Sequence, residues 1–336
     1  MTIQEQYRAL KEHAAIGEVA SRRVIGVGGK DRAGYLHGLL TNDVLALTPG
    51  TGCYAAWLTP QGRMTTDLYV LESGDRILLD VPAELVSATL QRLDQFLFSE
   101  DVQLSDLSST LAPVWIHGPR APSILDRVLG AATGCGSWAE YRHAWIESGV
   151  APVRLVRISQ LGVPGFCLYV EPAREAVLRH ALEAAGAIPA GRDAIEAARI
   201  EAGYPLFGID MTTDTIPLEA GIEDRAISFT KGCYAGQEVI VRVLHRGHGR
   251  IARALVGLRV EGDVPARGVK VFAGDREVGV VTSGARSPRL GSIAMGYLHR
   301  DFLSPGTRVE LAAPLGRAPA VVSQLPMVST TSTDAQ

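Results

Sequence analysis

The chain has 336 residues, of which 46% are hydrophobic and 21% charged; this composition is typical of a globular protein, and the length predicts two or three domains. A net charge of −3 gives no overall attraction to nucleic acid or to an anionic membrane, so direct nucleic-acid binding is not expected. The first residues lack the pattern of a signal peptide, and no stretch approaches the roughly 18 apolar residues of a membrane span, so we predict a cytoplasmic protein.

The four cysteines (Cys53, Cys135, Cys167 and Cys233) lie far apart and form no C-x-x-C pair. This spacing argues against a disulfide framework, a zinc site and an iron–sulfur cluster held by this chain alone. His245 and His248 resemble half of a metal site, but no third ligand is adjacent, and we predict no metal ligands. Lysine is scarce, with 4 Lys against 29 Arg, so each lysine is a candidate for a specific role.

Hydrophobic periodicity predicts strands and helices in alternation over the first two thirds of the chain. Residues 1–20 have the spacing of an amphipathic helix, which we expect to dock on the first domain. Strands are predicted over 23–28, 53–58, 64–71, 76–81, 111–117, 153–158 and 165–170. Helices are predicted over 30–40, 83–98, 122–129, 173–185 and 192–202. Strands that return as hairpins, with helices to one side, favour α+β layers over a doubly wound parallel sheet. No G-x-G-x-x-G or Walker A pattern supports a dinucleotide or P-loop site.

The last third of the chain changes character. Residues 204–229 form a long irregular segment whose apolar content predicts an ordered loop. Short strand-like runs punctuated by Gly and Pro follow between 250 and 325, a pattern typical of a small antiparallel barrel. The Ser- and Thr-rich tail after Met327 is predicted to be disordered.

The densest group of reactive side chains is the stretch from Thr230 to Glu238, Thr-Lys-Gly-Cys-Tyr-Ala-Gly-Gln-Glu. It is interpreted as a loop entering a helix that begins near Cys233, with Thr230 as its cap. Gly232 would allow a sharp turn and Gly236 a close approach. A cysteine in a first helical turn, beside Lys231, favours the thiolate. The alternative is a small buried cysteine next to an exposed lysine.

The residues from Lys231 to Glu238 resemble the K-G-C-Y-x-G-Q-E signature of YgfZ-type folate-binding proteins. These proteins are relatives of the glycine cleavage T-protein and support iron–sulfur enzymes. Blocks at 36–44, 58–68, 199–208, 281–284 and 293–297 are similar to other blocks of this superfamily. The resemblance implies a three-lobed ring of two α/β lobes and a C-terminal antiparallel β-barrel around a central folate cavity.

The domain boundaries expected from this resemblance are as follows. Residues 1–110 form the N-terminal lobe, with parts of 190–248 returning to it, and residues 111–190 form the second α/β lobe. Residues 191–248 carry the folate-facing helix, the loop and the cysteine motif. Residues 249–327 form the barrel, and 328–336 form the disordered tail.

The resemblance also implies roles for individual residues. Glu201 matches the glutamate that binds the pterin in T-proteins, and Asp67 matches an aspartate that assists the chemistry; a carboxylate suits the pterin N–H groups. The alternatives are a solvent-facing helix residue for Glu201 and a strand-end cap for Asp67.

Within the cysteine motif, the resemblance implies that Cys233 is the reactive residue and that Lys231 lowers the pKa of its thiol. Tyr234, Gln237 and Glu238 would shape the cofactor site. Arg242 opens a basic stretch, 242–259, that could meet the glutamate tail of a folate, RNA or an acidic partner, or could simply be a solvated surface.

Three functions follow from these features. The first is a protein that binds tetrahydrofolate or a one-carbon derivative and helps assemble or repair iron–sulfur enzymes, including enzymes that modify tRNA; its partners would be folate and iron–sulfur client or assembly proteins. The second is an aminomethyltransferase that transfers a one-carbon unit to tetrahydrofolate through Asp67 and Glu201. The third is a non-catalytic folate-sensing scaffold. T-proteins place an arginine-bearing segment where this chain has residues 231–234, a departure that favours the YgfZ branch.

Overall fold

The computed structural model describes residues 1–245, 251–314 and 316–328. The described chain forms two α/β lobes and a C-terminal barrel, which confirms the α+β prediction. None of the helices in the described part of the chain has the length and apolar content needed to cross a membrane.

The first lobe is a five-stranded antiparallel sheet. Its strands are β2 (Arg22–Gly28), β3 (Thr51–Leu58), β4 (Met64–Glu72), β5 (Ile77–Pro82) and β6 (Gln103–Asp106), in the order β3-β4-β5-β2-β6. Helices α2 (Arg32–Leu39) and α3 (Val86–Asp94) cover one face. Successive strand residues point to opposite faces, so Ala55 and Trp57 lie under the helices while Tyr54 and Ala56 face the second lobe.

The second lobe is a six-stranded sheet covered on its outer face by α4 (Ala121–Leu129) and α5 (Pro172–Ala184). Its strands are β1 (Ala15–Ile16), β7 (Ala112–His117), β8 (His143–Ile146), β9 (Val153–Arg157), β10 (Gly165–Val170) and β11 (Ile188–Pro189). Their order is β11-β1-β7-β10-β9-β8, with β1 and β11 parallel and the other pairs antiparallel. The inner faces of the two sheets share one hydrophobic cluster, which includes Tyr54, Tyr69, Trp115 and Tyr169.

The C-terminal barrel is closed and antiparallel. It consists of β12 (Arg253–Val260), β13 (Lys270–Ala273), β14 (Arg276–Ser287), β15 (Gly291–His299), β16 (Arg308–Ala313) and β17 (Gly316–Ser323). Between the second lobe and the barrel the chain forms α6 (Arg192–Glu201), two short helices, α7 (Pro217–Ala220) and α8 (Glu223–Ala226), and α9 (Gln237–His245). The interior of the barrel is apolar, and the closed antiparallel arrangement confirms the barrel that the sequence predicted.

Several predicted elements differ from the observed ones. Helix α1 (Ile3–Glu12) packs with α6 and adjoins the second sheet through β1, whereas we expected it on the first lobe. Pro82 ends β5, where it pairs with Arg22, and directly precedes a short 3-10 helix (Ala83–Leu85). The helix predicted over 83–98 is reduced to a short 3-10 helix and α3, because Val86, Thr89 and Leu93 supply its buried face and the residues beyond 94 have none comparable.

Candidate functional site

The cysteine motif is a loop that displays its thiol. Helix α9 begins at Gln237, four residues after Cys233, so the prediction of a cysteine in the first helical turn is wrong. Cys233 is exposed and Lys231 is buried, the reverse of the alternative in which a buried cysteine lies beside an exposed lysine. The helix dipole therefore does not reach Cys233 in the way the sequence suggested, because the effect fades within one turn.

Lys231 points into the protein and fastens the loop to the first lobe. Its Nζ donates to the carbonyl oxygens of Leu40 at 2.7 Å and Asn42 at 3.2 Å, and also to that of His37. These acceptors lie at the C-terminal end of α2 and in the turn that follows it, where free carbonyls attract a cation. Burial lowers the pKa of Lys231 to about 8.

The rest of the motif divides between a buried and an exposed half. Tyr234 is buried in the cluster between the sheets, its ring lies 5.1 Å from Lys231 Nζ, and burial raises the pKa of its hydroxyl to about 12. Gln237 is half-buried, whereas Glu238 and Arg242 are exposed. The structure therefore brings Lys231 and Tyr234 together, while Glu238 and Arg242 face outward from α9. Arg246, His248 and Arg250 of the basic stretch lie outside the described residues.

Asp67 belongs to a buried ion-pair network. Its Oδ2 accepts from the Tyr54 hydroxyl at 2.8 Å, and its Oδ1 accepts from Arg22 Nη1 at 3.1 Å. Arg22 also donates to Asp80, and the Tyr169 hydroxyl donates to the same carboxylate from the second sheet. Burial raises the pKa of Asp80, while Arg22 opposes that shift. Asp67 is thus held between the lobes, neither exposed nor at a strand end.

Glu201 lies elsewhere, where α1, α6 and the barrel meet. Its Oε2 accepts from the Tyr7 hydroxyl at 2.7 Å and lies 3.6 Å from Lys11 Nζ, and its Oε1 accepts from Ser287 on β14. The carboxylate is buried, which contradicts the alternative of a solvent-facing helix residue. The contacts of the Glu201 carboxylate join α1, α6 and the barrel. Its role in binding a pterin stays a prediction.

Sequence reasoning missed the most distinctive part of the site, an arginine among tyrosines. The Arg225 guanidinium carbon lies 4.0 Å from the ring centroid of Tyr204 and 4.9 Å from that of Tyr54. The Tyr69 ring lies 5.5 Å from that of Tyr54 and 5.9 Å from that of Tyr141. The Tyr69 hydroxyl is hydrogen-bonded to that of Tyr204 at 2.7 Å. We call Tyr54, Tyr69, Tyr141 and Tyr204 the tyrosine cluster. Its members come from three parts of the chain and share no motif, so no local signal could have found it.

The comparisons with known proteins agree with this architecture. Residues 1–231 match the model of the GCVT N-terminal domain, and residues 253–329 match that of the glycine cleavage T-protein C-terminal barrel domain. The chain belongs to the glycine cleavage T-protein family. The superfamily prediction is therefore confirmed, while assignment to its YgfZ branch stays a prediction.

Relatives of this T-protein family member match over most of its length. Proteins named aminomethyltransferase are similar to it at 30% identity in Bacillus subtilis (92% of this chain, 86% of the relative) and 32% in Streptomyces coelicolor (90% and 83%). A third, from Thermus thermophilus, is 31% identical over 97% of this chain and 90% of its own. The crystal structure of the glycine cleavage system aminomethyltransferase T from Bartonella henselae has the same fold, with a TM-score of 0.86 and 22% identity over 97% of this chain and 89% of that chain.

Proposed function

We propose that this T-protein family member binds tetrahydrofolate or a one-carbon derivative and acts as an accessory protein for iron–sulfur enzymes, with Cys233 as its reactive residue. The observation that carries the proposal is the exposed thiol of Cys233 on a loop anchored by the buried Lys231. We further propose that residues 191–248 form the folate-facing segment between the two lobes and the barrel.

The residues between the lobes suit a reduced folate. Tyr54 and Tyr69 are fully buried, whereas Tyr204 lines a cavity together with Arg225; Tyr204 thus offers an aromatic ring to a flat ligand, and Arg225 offers a cation to an anionic group. Two buried polar atoms near this region, Trp115 Nε1 and Gln160 Oε1, have no hydrogen-bond partner among the described residues. Gln160 Nε2 donates to the Tyr69 hydroxyl at 2.8 Å, which places its amide beside the cluster. A folate, when bound, supplies nitrogen atoms that carry a one-carbon unit.

In the accessory role, the chain's own residues have distinct tasks. Lys231 holds the loop against α2, so that Cys233 is presented to solvent and to a partner protein. Tyr234 seats the same loop in the core between the sheets. An exposed thiol is able to act as a nucleophile, a one-carbon acceptor or a transient cluster ligand. The clients would be iron–sulfur assembly or repair proteins and tRNA-modifying iron–sulfur enzymes, in the cytoplasm.

The second candidate is an aminomethyltransferase, and the comparisons support it better than they support the accessory role. The relatives that match over 90% or more of this chain at about 30% identity carry that name. In this candidate Asp67 and Glu201 would act on the substrate and Cys233 would be incidental. Both carboxylates are buried and bonded to neighbouring side chains, so they would need to be uncovered when ligand binds.

Two assays separate these candidates. In a strain that lacks the protein, we expect wild-type and Cys135→Ala chains to restore iron–sulfur enzyme activity and Cys233→Ala to fail. Cys135 is buried and serves as the matched control.

The second assay tests the purified protein with an aminomethyl-loaded lipoyl carrier and tetrahydrofolate, and its readout is the release of ammonia. Full rescue by Cys233→Ala together with turnover would replace the accessory role by aminomethyl transfer. Full rescue without turnover would leave a folate-binding scaffold.

A further inference from the structure

A cavity of about 610 Å³ lies between the end of α6, the α7–α8 segment and the barrel. Its volume is in the range of small-molecule pockets. Much of the wall is apolar and comes from the barrel, including Leu255, Val256 and Leu303. Gly203 and Gly221, which have no side chains, line the opposite wall. The cavity therefore has an apolar wall on the barrel side and a polar side that carries Arg225, a combination that suits a ligand end with both methylene and charged groups.

Among the described residues that line this cavity, Arg225 is the one that carries a charge. Within the described chain, no carboxylate lies within ion-pair distance of its guanidinium, and no side-chain hydrogen bond orients it. The other half-buried and buried arginines near the site do have acidic partners: Arg22 has Asp67 and Asp80, and Arg253 has Glu219. A cation enclosed without an acid is an arrangement that favours an anionic ligand.

The position of Arg225 is set before any ligand arrives. Tyr204 and Tyr54 hold the guanidinium by cation–π contact at 4.0 and 4.9 Å, and Asn42 Nδ2 donates to the Arg225 carbonyl at 3.1 Å. Such stacking leaves the in-plane N–H groups free for a carboxylate. Tyr204 lines the cavity beside Arg225 and is also a member of the tyrosine cluster.

We propose that Arg225 and this cavity form the subsite for the carboxylate-bearing glutamyl end of the folate. The inference rests on the proposed folate binding and names a residue that recognises the ligand's anionic tail. The aromatic part of the ligand lies beside Tyr204, the member of the tyrosine cluster that lines this cavity, and the tail reaches Arg225. Arg225 is thus a specificity residue that distinguishes a folate from a pterin without a glutamyl group.

The test compares two probes by isothermal titration calorimetry on the full chain. The probes are 5-formyltetrahydrofolate and 6-methyltetrahydropterin, which lacks the glutamyl group. We expect Arg225→Gln to weaken binding of the folate by about 10- to 100-fold, the range of a charge-assisted hydrogen bond, and to leave binding of the pterin unchanged. Arg92→Gln is the matched control, since Arg92 stacks on Trp57 in the first lobe, away from the cavity.

A second variant keeps the test decisive if Arg225→Gln folds poorly. Leu303→Trp narrows the cavity from the barrel side and leaves the charge of Arg225 in place. This variant should therefore also weaken the binding of the folate and leave the binding of the pterin unchanged. If the wild type binds the folate and both variants retain its full affinity, the subsite is wrong while folate binding stands. If the wild type binds neither probe, the proposed function itself fails.

Discussion

Lys231 is a buried cation whose role is set by backbone carbonyls, since its amine donates to His37, Leu40 and Asn42. The sequence marked this lysine as significant and assigned it to thiol activation. The structure shows an anchor, because the hydrogen bonds of the amine lead toward α2. Residue identity alone could not distinguish these roles, since both need a cation near Cys233.

Replacing Lys231 by Met should destabilise the protein by about 2–3 kcal/mol, because buried carbonyls lose their charged donor. Urea unfolding followed by circular dichroism measures this change. Lys30→Met is the control. Because Lys30 is exposed, this substitution should change the free energy of unfolding by no more than about 0.5 kcal/mol. Equal stability of the two variants would show that the carbonyls do not depend on Lys231.

Lys231 should also make stability depend on pH. Its pKa is lowered by burial to about 8 in the folded protein, against an ordinary value of 10.5. Between these values the unfolded chain binds more protons than the folded one, so the free energy of unfolding contributed by Lys231 rises with pH. The stability difference between wild type and Lys231→Met should therefore increase from about pH 8 to 10. A difference that stays flat or falls would show that the amine keeps its proton.

At the scale of elements, the cysteine loop and α9 rest on the turn between β3 and β4. Gly236 has φ +83°, and a Cβ there would lie 2.5 Å from the Thr59 carbonyl oxygen. Gly62, in the turn, has φ +73° and would carry a Cβ 2.8 Å from that of Val239. The close approach predicted for Gly236 is confirmed. The sharp turn predicted for Gly232 is not seen, since its φ is not positive and the space around it is open.

Gly236→Ala should therefore lower stability by about 1–3 kcal/mol, through backbone strain and the clash with the turn. The measurement is the thermal unfolding midpoint. Gly232→Ala, four residues earlier in the same loop, is the matched control and should leave that midpoint nearly unchanged. If both variants have the same unfolding midpoint as the wild type, the cysteine loop does not pack on the β3–β4 turn in solution.

At the scale of the whole molecule, one carboxylate joins the barrel to α6. Asp210 Oδ2 accepts from Arg199 Nη1 at 2.7 Å, and its Oδ1 accepts from Thr282 and Ser283 of β14, each at 2.6 Å. Arg199 and Asp210 are both buried, so neither charge has water to replace a lost partner. The barrel is fixed to the rest of the chain by this network and by the Glu201 junction.

Asp210→Ala should destabilise the protein by about 1–3 kcal/mol, because Thr282, Ser283 and Arg199 lose a buried acceptor while Arg199 keeps its ion pair with Glu196. All four tryptophans lie before residue 191, so fluorescence reports on the lobes while circular dichroism includes the barrel. If the network couples them, the two unfolding transitions should separate in this variant. Asp275→Ala removes a fully exposed carboxylate and is the control. Coincident, unshifted transitions in Asp210→Ala would contradict the coupling.

The sequence by itself determined the layers. Short apolar runs predicted most of the strands, because a strand with one face under helices and the other in a shared core is apolar on both faces. This signal failed for β1 and β11, which have two residues each, and for β6 and β8, which are four-residue edge strands. The motif also predicted a loop that leads into a helix near Cys233, but the exposure of the thiol was decided by the structure.

Only the tertiary structure decided which side chains meet. Tyr54, Tyr204 and Arg225 converge from distant parts of the chain, and Tyr169 reaches Asp80 from the other lobe. Lys231 turned inward, and Asp67 and Glu201 lie in separate buried networks although the resemblance assigned both to one cofactor. Local patterns record which face of an element is apolar, because that depends on spacing along the chain. Partners in a buried polar network depend on how the sheets, α6 and the barrel are placed, and spacing along the chain does not encode that placement.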